Sequence, residues 1–444
     1  MEAERVLVVG AGAAGCLAAL RLASRGISVT LHERDCAGPS LTAICGGLVP
    51  GVNTPQQRVL GVVDSVDLFV SDVMAKNKGH AQADLVAAVA EVSASALGFF
   101  EAATGVPLHL YTDVLHPGLS VPRLHATPGE SGHELQDALR RAAFAHPGIE
   151  VREREFIDQL STDAGGSVTG AGPARGRAVV LATGGFGANK SMLRRWIPAM
   201  ADAEYVGSRL SGGELIEAAA ALGAQLVHMG GFQGHAHVNP GGRTHLGGSL
   251  PRLGAIMVNL AGRRFGAEDG GYSEFALDVL RQPQGRAVEI FDESMLRQAE
   301  SLGVFREAME AGAVLRAGSA RELAAAFGID AAALAAEIAR YNGFVAAGAD
   351  ADWGRRILPR QLGSPLYGSL VTGALAHTQG GLRIDACGRV LGRDGDPIRG
   401  LYAVGGAAAC FSGDGAEGYL SGNGLAHAFG TAWLAAEHIS GARM

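Results

Sequence analysis

The sequence predicts an α/β fold in which short buried strands run into glycine turns, with a helical stretch set between the last two of them. Three observations predict it. Short apolar, β-branched runs end in glycine turns at three distant places, residues 6–15, 178–185 and 400–406. Between the second and third, residues 312–350 read as helices (321–327 and 331–347), which breaks the strand–helix alternation. Glycine supplies 66 of 444 residues, roughly twice its usual share of ~7 %. These glycines follow no G-X-Y period and sit among apolar runs, so they mark turns and not a collagen-like or low-complexity tract.

Composition narrows the function classes. With 48 % hydrophobic residues the chain can bury a substantial core, and its length suggests two or three domains. A net charge of −7 argues against a nucleic-acid partner, which selects a basic face. The five cysteines (Cys16, Cys36, Cys45, Cys387, Cys410) form no CxxC or CxxCH, so zinc-ribbon, thioredoxin-like and attached-haem chemistry lack support. The first residues are acidic where a signal peptide is basic, and no uncharged apolar run reaches ~18 residues. The expectation is a cytoplasmic protein with no membrane span.

The first element is a strand, Arg5-Val6-Leu7-Val8-Val9, running into Gly10-Ala11-Gly12-Ala13-Ala14-Gly15. An alanine- and leucine-rich helix follows to Ser24, with Gly26 as its stop. A second strand covers residues 27–31, and Glu33 stands just beyond it. In this Rossmann-like order Gly10 allows the tight turn, Gly12 lets backbone approach a pyrophosphate, and Gly15 lets helix and strand pack closely. The phosphates then face the positive helix end, and Glu33 can bind a ribose hydroxyl.

The other two glycine turns select a flavin over a nicotinamide. The buried strand 178–182 runs into Thr183-Gly184-Gly185, and the strand 400–404 runs into Gly405-Gly406. The segment Tyr419-Leu420-Ser421-Gly422-Asn423-Gly424-Leu425 then opens the last helix, whose free amides suit the anionic edge of a reduced flavin.

This pattern resembles the fumarate reductase/succinate dehydrogenase flavoprotein superfamily, which includes the 3-ketosteroid dehydrogenases. The landmarks occur in order over nearly the whole chain: Gly46-Gly47; Val258-Asn259 with Gly262-Arg263-Arg264-Phe265; Ala339-Arg340-Tyr341-Asn342; Trp353-Gly354-Arg355; His377-Thr378-Gln379-Gly380-Gly381; and the closing Ser421–Leu425. The resemblance implies an FAD domain in two parts, residues 1–229 and 371–444, around an inserted α+β capping domain at 230–370. It implies FAD contacts at Gly10, Gly12, Ala13, Ala14, Gly15, Glu33, Arg34, Ser40, Thr42, Gly46, Gly47, Ala182, Thr183, Gly184, Gly405, Gly406, Ser421, Gly422, Asn423 and Leu425. Some relatives attach flavin through a histidine near Cys45. Leu41 and Thr42 occupy that neighbourhood here, so the FAD is expected to be non-covalent.

The site departs from the fumarate reductases. Those enzymes grip a dicarboxylate with two histidines and two arginines, one arginine also donating the proton. His377 and His235 match the histidines, but Tyr272 and Tyr419 fall where the arginines belong. Losing both guanidinium clamps moves the chemistry away from carboxylates and towards that of the ketosteroid dehydrogenases, which carry tyrosine at both places. The resemblance then implies an α,β-desaturase of a ketone. Tyr272 takes the α-proton, Tyr419 holds the ketone oxygen, and the flavin accepts hydride. The retained histidines suggest a small polar substrate such as an oxo-cyclohexane acid.

Two readings compete: an enoate reductase of the fumarate or urocanate kind, drawing an arginine acid from Arg252 or Arg243, and a flavin-binding protein with an inactive site. His237 and His245 lie close enough to His235 in sequence that one of them could be the true contact. No acidic or thiol partner follows at ligand spacing, so no metal is expected. Arg264 reads as a structural ion-pair residue, Tyr111 as a strand residue or a third substrate tyrosine, and residues 230–248 as a hinge or entrance. With no haem or iron–sulfur motif, an external acceptor such as a quinone, a carrier or oxygen is expected.

Overall fold

The computed structural model describes residues 4–113, 115–240, 244–300 and 303–441. The chain divides into two compact units. One comprises Met1–Ile197, Gly207–Phe232 and His377–Met444; the other comprises Pro198–Val206 and Gln233–Ala376.

The first unit is built on a six-stranded sheet in the order Arg389–Leu391, Pro397–Ala403, Ala178–Leu181, Val6–Val9, Val29–Glu33, Ile149–Glu153. All neighbours are parallel except the antiparallel Arg389–Leu391 edge. Val6–Val9 and Ala178–Leu181 are buried at every position, as expected for central strands covered on both faces. From Val6–Val9 the chain passes to one side through the helix Ala13–Ser24, while Ala178–Leu181 lies on the other side. That reversal opens a crevice at the carboxyl ends of these strands. The second strand begins at Val29 and ends on Glu33, so Glu33 is its last residue and not a loop residue beyond it.

Close approach at the crevice depends on glycine. Gly10 has φ +105°, and a Cβ there would stand 2.4 Å from the carbonyl oxygen of Ala182. A Cβ on Gly15 would stand 1.8 Å from the carbonyl oxygen of Gly10. The helix Ala13–Ser24 shares one apolar core with the C-terminal helix Asn423–Ile439, through small side chains such as Ala14, Ala18, Ala428, Ala432 and Ala435. The helix Ala83–Thr104 belongs to the same unit. It is long and apolar enough to cross a membrane by length and composition alone. Its Leu85, Val86, Val89, Ala90, Leu97 and Phe100 are buried inside the unit, as in a core helix of a globular protein.

The second unit centres on the long strand Leu366–Thr378. It pairs antiparallel with Arg286–Asp292 and Leu315–Ala317, parallel with Glu204–Tyr205, and also with Phe232–Val238. The pairing of Glu204–Tyr205 ties Pro198–Val206 to this unit. Within the segment read as a hinge or entrance, Phe232–Val238 forms a mostly buried strand. Helices Ala320–Phe327 and Ala331–Ala347 form where expected. The helix Tyr272–Leu280 lies directly on the sheet because two strand glycines admit it. A Cβ on Gly234 would meet the Ser273 carbonyl at 2.5 Å, and one on Gly373 the Ala276 carbonyl at 2.2 Å. Arg264 is a buried structural residue: its Nε and Nη2 donate to Glu268 at 2.7 Å, and Nη2 also meets Asp350 at 2.9 Å.

These contacts separate the two motif glycines by mechanism. Gly15→Ala should cost about 1–3 kcal/mol of stability, as overpacking does. Gly12→Ala should leave urea unfolding nearly unchanged, because nothing lies within 4 Å of a Cβ there. Urea denaturation of both variants checks this.

Candidate active site

In the first unit the cofactor-side residues gather around the crevice. Gly12 caps the helix Ala13–Ser24 with no side-chain hydrogen bond, so apart from Ala13 the amides of that helix start remain for a ligand. Glu33 is buried and accepts the Ala11 N–H at 2.7 Å and the Asp35 N–H at 3.0 Å. Thr42 accepts the Ala13 N–H at 3.3 Å. Ser40 donates to Gln136 at 2.7 Å. Arg34 pairs with Glu214 at 3.2 Å and hydrogen-bonds the Leu210 carbonyl. Gly46 is exposed with open space around it, whereas Gly47, at φ +68°, packs against Ser131. Sequence reading missed Gln136 and Arg140, which both donate to the Ala11 carbonyl, at 2.9 and 3.1 Å, and so fix the turn.

The second and third glycine turns of the same unit meet. A Cβ on Gly406 would lie 3.1 Å from the Gly185 nitrogen. Gly405 donates to Thr431 at 3.0 Å. Three side-chain atoms point to a ligand. Thr183 Oγ1 is buried without a hydrogen-bond partner, as are both the Oδ1 and Nδ2 of Asn423. Asn423 opens the last helix behind Gly422, which has φ +86° and supplies no side-chain cap. Buried polar atoms are rarely left unpaired in a folded protein. Orphaned amide and hydroxyl groups beside a free helix start therefore fit a bound isoalloxazine edge, and the open Gly12 turn fits a pyrophosphate. Ser421 lies 3.2 Å from a His116 ring nitrogen, and Leu425 packs against the core.

His377 and Tyr419 lie side by side in this unit, ring centroids 5.9 Å apart and nearly perpendicular. A relay of hydrogen bonds positions the imidazole. Ser412 donates to Gln379 at 2.9 Å, and the Gln379 amide nitrogen lies 3.1 Å from His377 Nδ1. Burial lowers the His377 pKa, opposed in part by its contact with the Thr378 carbonyl, so the ring favours its neutral form.

In the second unit Tyr272 is the first residue of its helix. Its ring packs on His235 at 5.2 Å, and Gln233 Nε2 stands 3.4 Å from its hydroxyl oxygen. His235 also touches His245 at 4.6 Å and His237 at 5.7 Å. The three histidines the sequence could not rank therefore form one cluster. Desolvation and then the neighbouring His245 and His237 hold the His235 pKa well below its usual value. Burial and then His237 push His245 down to about 4. His237 Nδ1 lies 2.8 Å from Glu289 Oε2, both side chains being buried. Glu289 had no sequence signal, since it sits in an ordinary strand. Among the described residues no group of three or more histidine, cysteine or acidic side chains could hold a metal.

Tyr111 is nearly buried in the first unit against His116, with ring centroids 6.1 Å apart. Arg252 lies in the short helix Leu250–Leu253, and Arg243 lies outside the described residues.

A family model for the FAD binding domain matches residues 5–425. A probable fumarate reductase, Ifc3 of Shewanella frigidimarina, is 32 % identical over 439 residues, which covers 96 % of this chain and 73 % of that one. A 4-oxocyclohexanecarboxylate 2-dehydrogenase of Sinomonas cyclohexanicum is 28 % identical over 542 residues, covering 95 % and 92 %. Among solved structures, the open conformation of a flavocytochrome c3 fumarate reductase aligns with TM-score 0.85 at 30 % identity, over 99 % of this chain and 78 % of that one.

The depressed pKa of His245 has a measurable sign. Its folded-state value of about 4 lies below the unfolded ~6.5, so between these pH values the unfolded chain binds a proton that the folded chain does not. Stability therefore falls as pH drops through this window, by up to ~1.4 kcal/mol per pH unit for this residue. His245→Gln should reduce the slope of unfolding free energy against pH by that amount between pH 6 and 4.5, measured by urea unfolding.

Proposed function

The chain belongs to the fumarate reductase/succinate dehydrogenase flavoprotein family and is an FAD-dependent oxidoreductase acting on CH–CH groups; on that premise we propose that it desaturates a ketone at its α,β bond, with a small cyclic keto acid as substrate. The observation that carries this reading is the surroundings of Tyr272. Its phenol stands where the family's proton-donating arginine is expected, packed on a histidine that burial keeps neutral. A neutral imidazole and a phenol can serve a ketone, but they bring no permanent charge to a dicarboxylate.

Each tyrosine has a role that its own surroundings support. Tyr272 removes the α-proton, with the Gln233 amide placed to stabilise charge growing on its oxygen. Tyr419, beside the start of the helix Asn423–Ile439, donates its hydroxyl proton to the ketone oxygen as enolate character develops. His377, held by Gln379, offers a neutral imidazole beside it. Non-covalently bound FAD supplies a hydride acceptor at N5, and an external acceptor then removes the electrons. The likeness to a dehydrogenase of an oxo-cyclohexane acid supports the substrate class.

Two observations favour a second reading, an enoate reductase. The likeness to a probable fumarate reductase, 32 % identical, covers 96 % of the chain. Arg252 is half-buried and has no side-chain hydrogen bond or ion pair among the described residues, so it could act as the acid.

Anaerobic mixing separates the two. A 4-oxo-cyclohexane acid should bleach the oxidised flavin, and Tyr272→Phe should slow that bleaching about 10²–10⁴-fold, the range of general base catalysis. Reoxidation of dithionite-reduced flavin by an enoate, with no bleaching by any cyclic ketone, would establish the second reading. Full turnover in Tyr272→Phe would remove that residue as the base.

A further inference from the structure

Three histidines crowd one site in the second unit, yet they are not equivalent. His235 Nδ1 accepts the backbone N–H of His237 at 3.3 Å, and His245 Nδ1 accepts that of Gly247 at 3.3 Å. The same clasp, two residues on in both cases, leaves each neutral ring with its proton on Nε2. Neither can readily take a second proton, because each is desolvated and neither has a carboxylate. His237 is different. Its Nδ1 donates to Glu289 Oε2 at 2.8 Å, which leaves Nε2 as the acceptor. A buried carboxylate behind an imidazole orients the ring and stabilises the imidazolium once formed. Glu289 Oε1 is buried without a hydrogen bond, so the carboxylate keeps unused acceptor capacity. Across the sheet it faces Ser369, whose hydroxyl is uncharged and also unpartnered. Among the described residues Glu289 and His235 contact His237, and His235 in turn touches His245 and Tyr272.

We propose that the His237–Glu289 pair is the proton store for Tyr272, taking up at His237 Nε2 the proton that the desaturation releases. This rests on the ketone reading above. The substrate Cα–H bond breaks and its proton bonds to Tyr272 Oη. The Oη–H bond breaks in turn, and that proton passes beside the His235 ring, through one hydrogen-bonded water, to His237 Nε2. The β-hydride leaves for the flavin, so the site ends with a neutral phenol and an imidazolium facing a carboxylate. In this scheme His237 and Glu289 are positioning residues that act through Tyr272.

Glu289→Gln keeps the shape of the pair and removes its charge. With FAD content and thermal midpoint as folding controls, kcat for ketone-driven bleaching should fall about 10²-fold while KM stays within about twofold. The ascending limb of the kcat–pH profile should shift, because the imidazole loses the carboxylate that faces it. Glu289→Asp should restore part of kcat. A pair that only fills the sheet would change neither the limb nor the split between kcat and KM, and that result would overturn the proposal. A second arm needs no turnover: in imidazole ¹⁵N spectra of the FAD-loaded protein, the His237 ring, assigned by its loss in His237→Gln, should be protonated at Nδ1 and bare at Nε2, and Glu289→Gln should abolish that pattern at this ring while leaving His32 and His125 unchanged. If the His237 ring is an Nε2–H ring, the pair is not a store, whatever the activity. If no ketone bleaches the flavin while the ¹⁵N pattern is present, the ketone reading fails and the pair stands.

Discussion

The first unit depends on one close contact, the approach of the helix Ala13–Ser24 to the ends of the strands Val6–Val9 and Ala178–Leu181. With the Gly10 carbonyl 1.8 Å from where a Gly15 Cβ would stand, any side chain there would lift the helix off the sheet. The helix start would then no longer present its amides at the crevice. Other contacts reinforce this placement: Glu33 on the Ala11 N–H, and Gln136 and Arg140 on the Ala11 carbonyl. The C-terminal helix, packed on Ala13–Ser24 through alanines, inherits its position from the same contact. Asn423 and Gly405 are thus located by Gly15, 408 and 390 residues earlier in the chain.

What the sequence revealed follows from which signals are local. The strands at residues 6–9 and 178–181 and the helix 331–347 were legible because apolar period and glycine punctuation coincide there. The strand Phe232–Val238 was not. It holds histidines and a glycine, a composition that suggests a loop, and only its pairing with Leu366–Thr378 makes it a strand. Glu204–Tyr205 is two residues long and has no pattern of its own. Tyr272 reads from sequence as a loop residue before a helix. In the structure it is the first helical residue, because Gly271 at φ +143° turns the chain one position earlier. The individual site residues stood out as types, tyrosines and histidines in unusual places. Their partners Gln233, Gln379 and Glu289 did not, because a strand carboxylate or amide becomes informative only when its neighbour across the sheet is known.

The second unit treats its charges in two opposite ways. Around Arg264 it gathers Glu268, Asp350 and Arg355, all buried, into a network in which every carboxylate meets a guanidinium. Breaking such a network by removing one partner is far costlier than its net contribution to stability, so it acts as a fixed strut. Around Tyr272 the same unit holds His235 and His245 neutral and places the carboxylate of Glu289 against His237. A strut calls for complete pairing, whereas a site that moves protons calls for one group left able to accept.

That asymmetry bears on why tyrosine can stand where arginine is usual. A phenol with an ordinary pKa near 10 costs about 4 kcal/mol to ionise at pH 7, which is three pKa units at ~1.4 kcal/mol each. Part of this cost falls away when a donor such as Gln233 faces the oxygen, but one hydrogen bond is worth only about 0.5–1.5 kcal/mol. The remainder need not be met if the phenolate is never populated. A phenol that receives a proton on one side while giving one up on the other stays neutral throughout, provided the final acceptor is near neutral pH and its new charge is already compensated. An imidazole backed by a buried carboxylate has that compensation in place, and among the three histidines of this cluster Glu289 stands behind His237. A guanidinium needs no such arrangement to hold an anion, so exchanging arginine for tyrosine shifts the electrostatic requirement from the substrate's carboxylates to the enzyme's own proton acceptor.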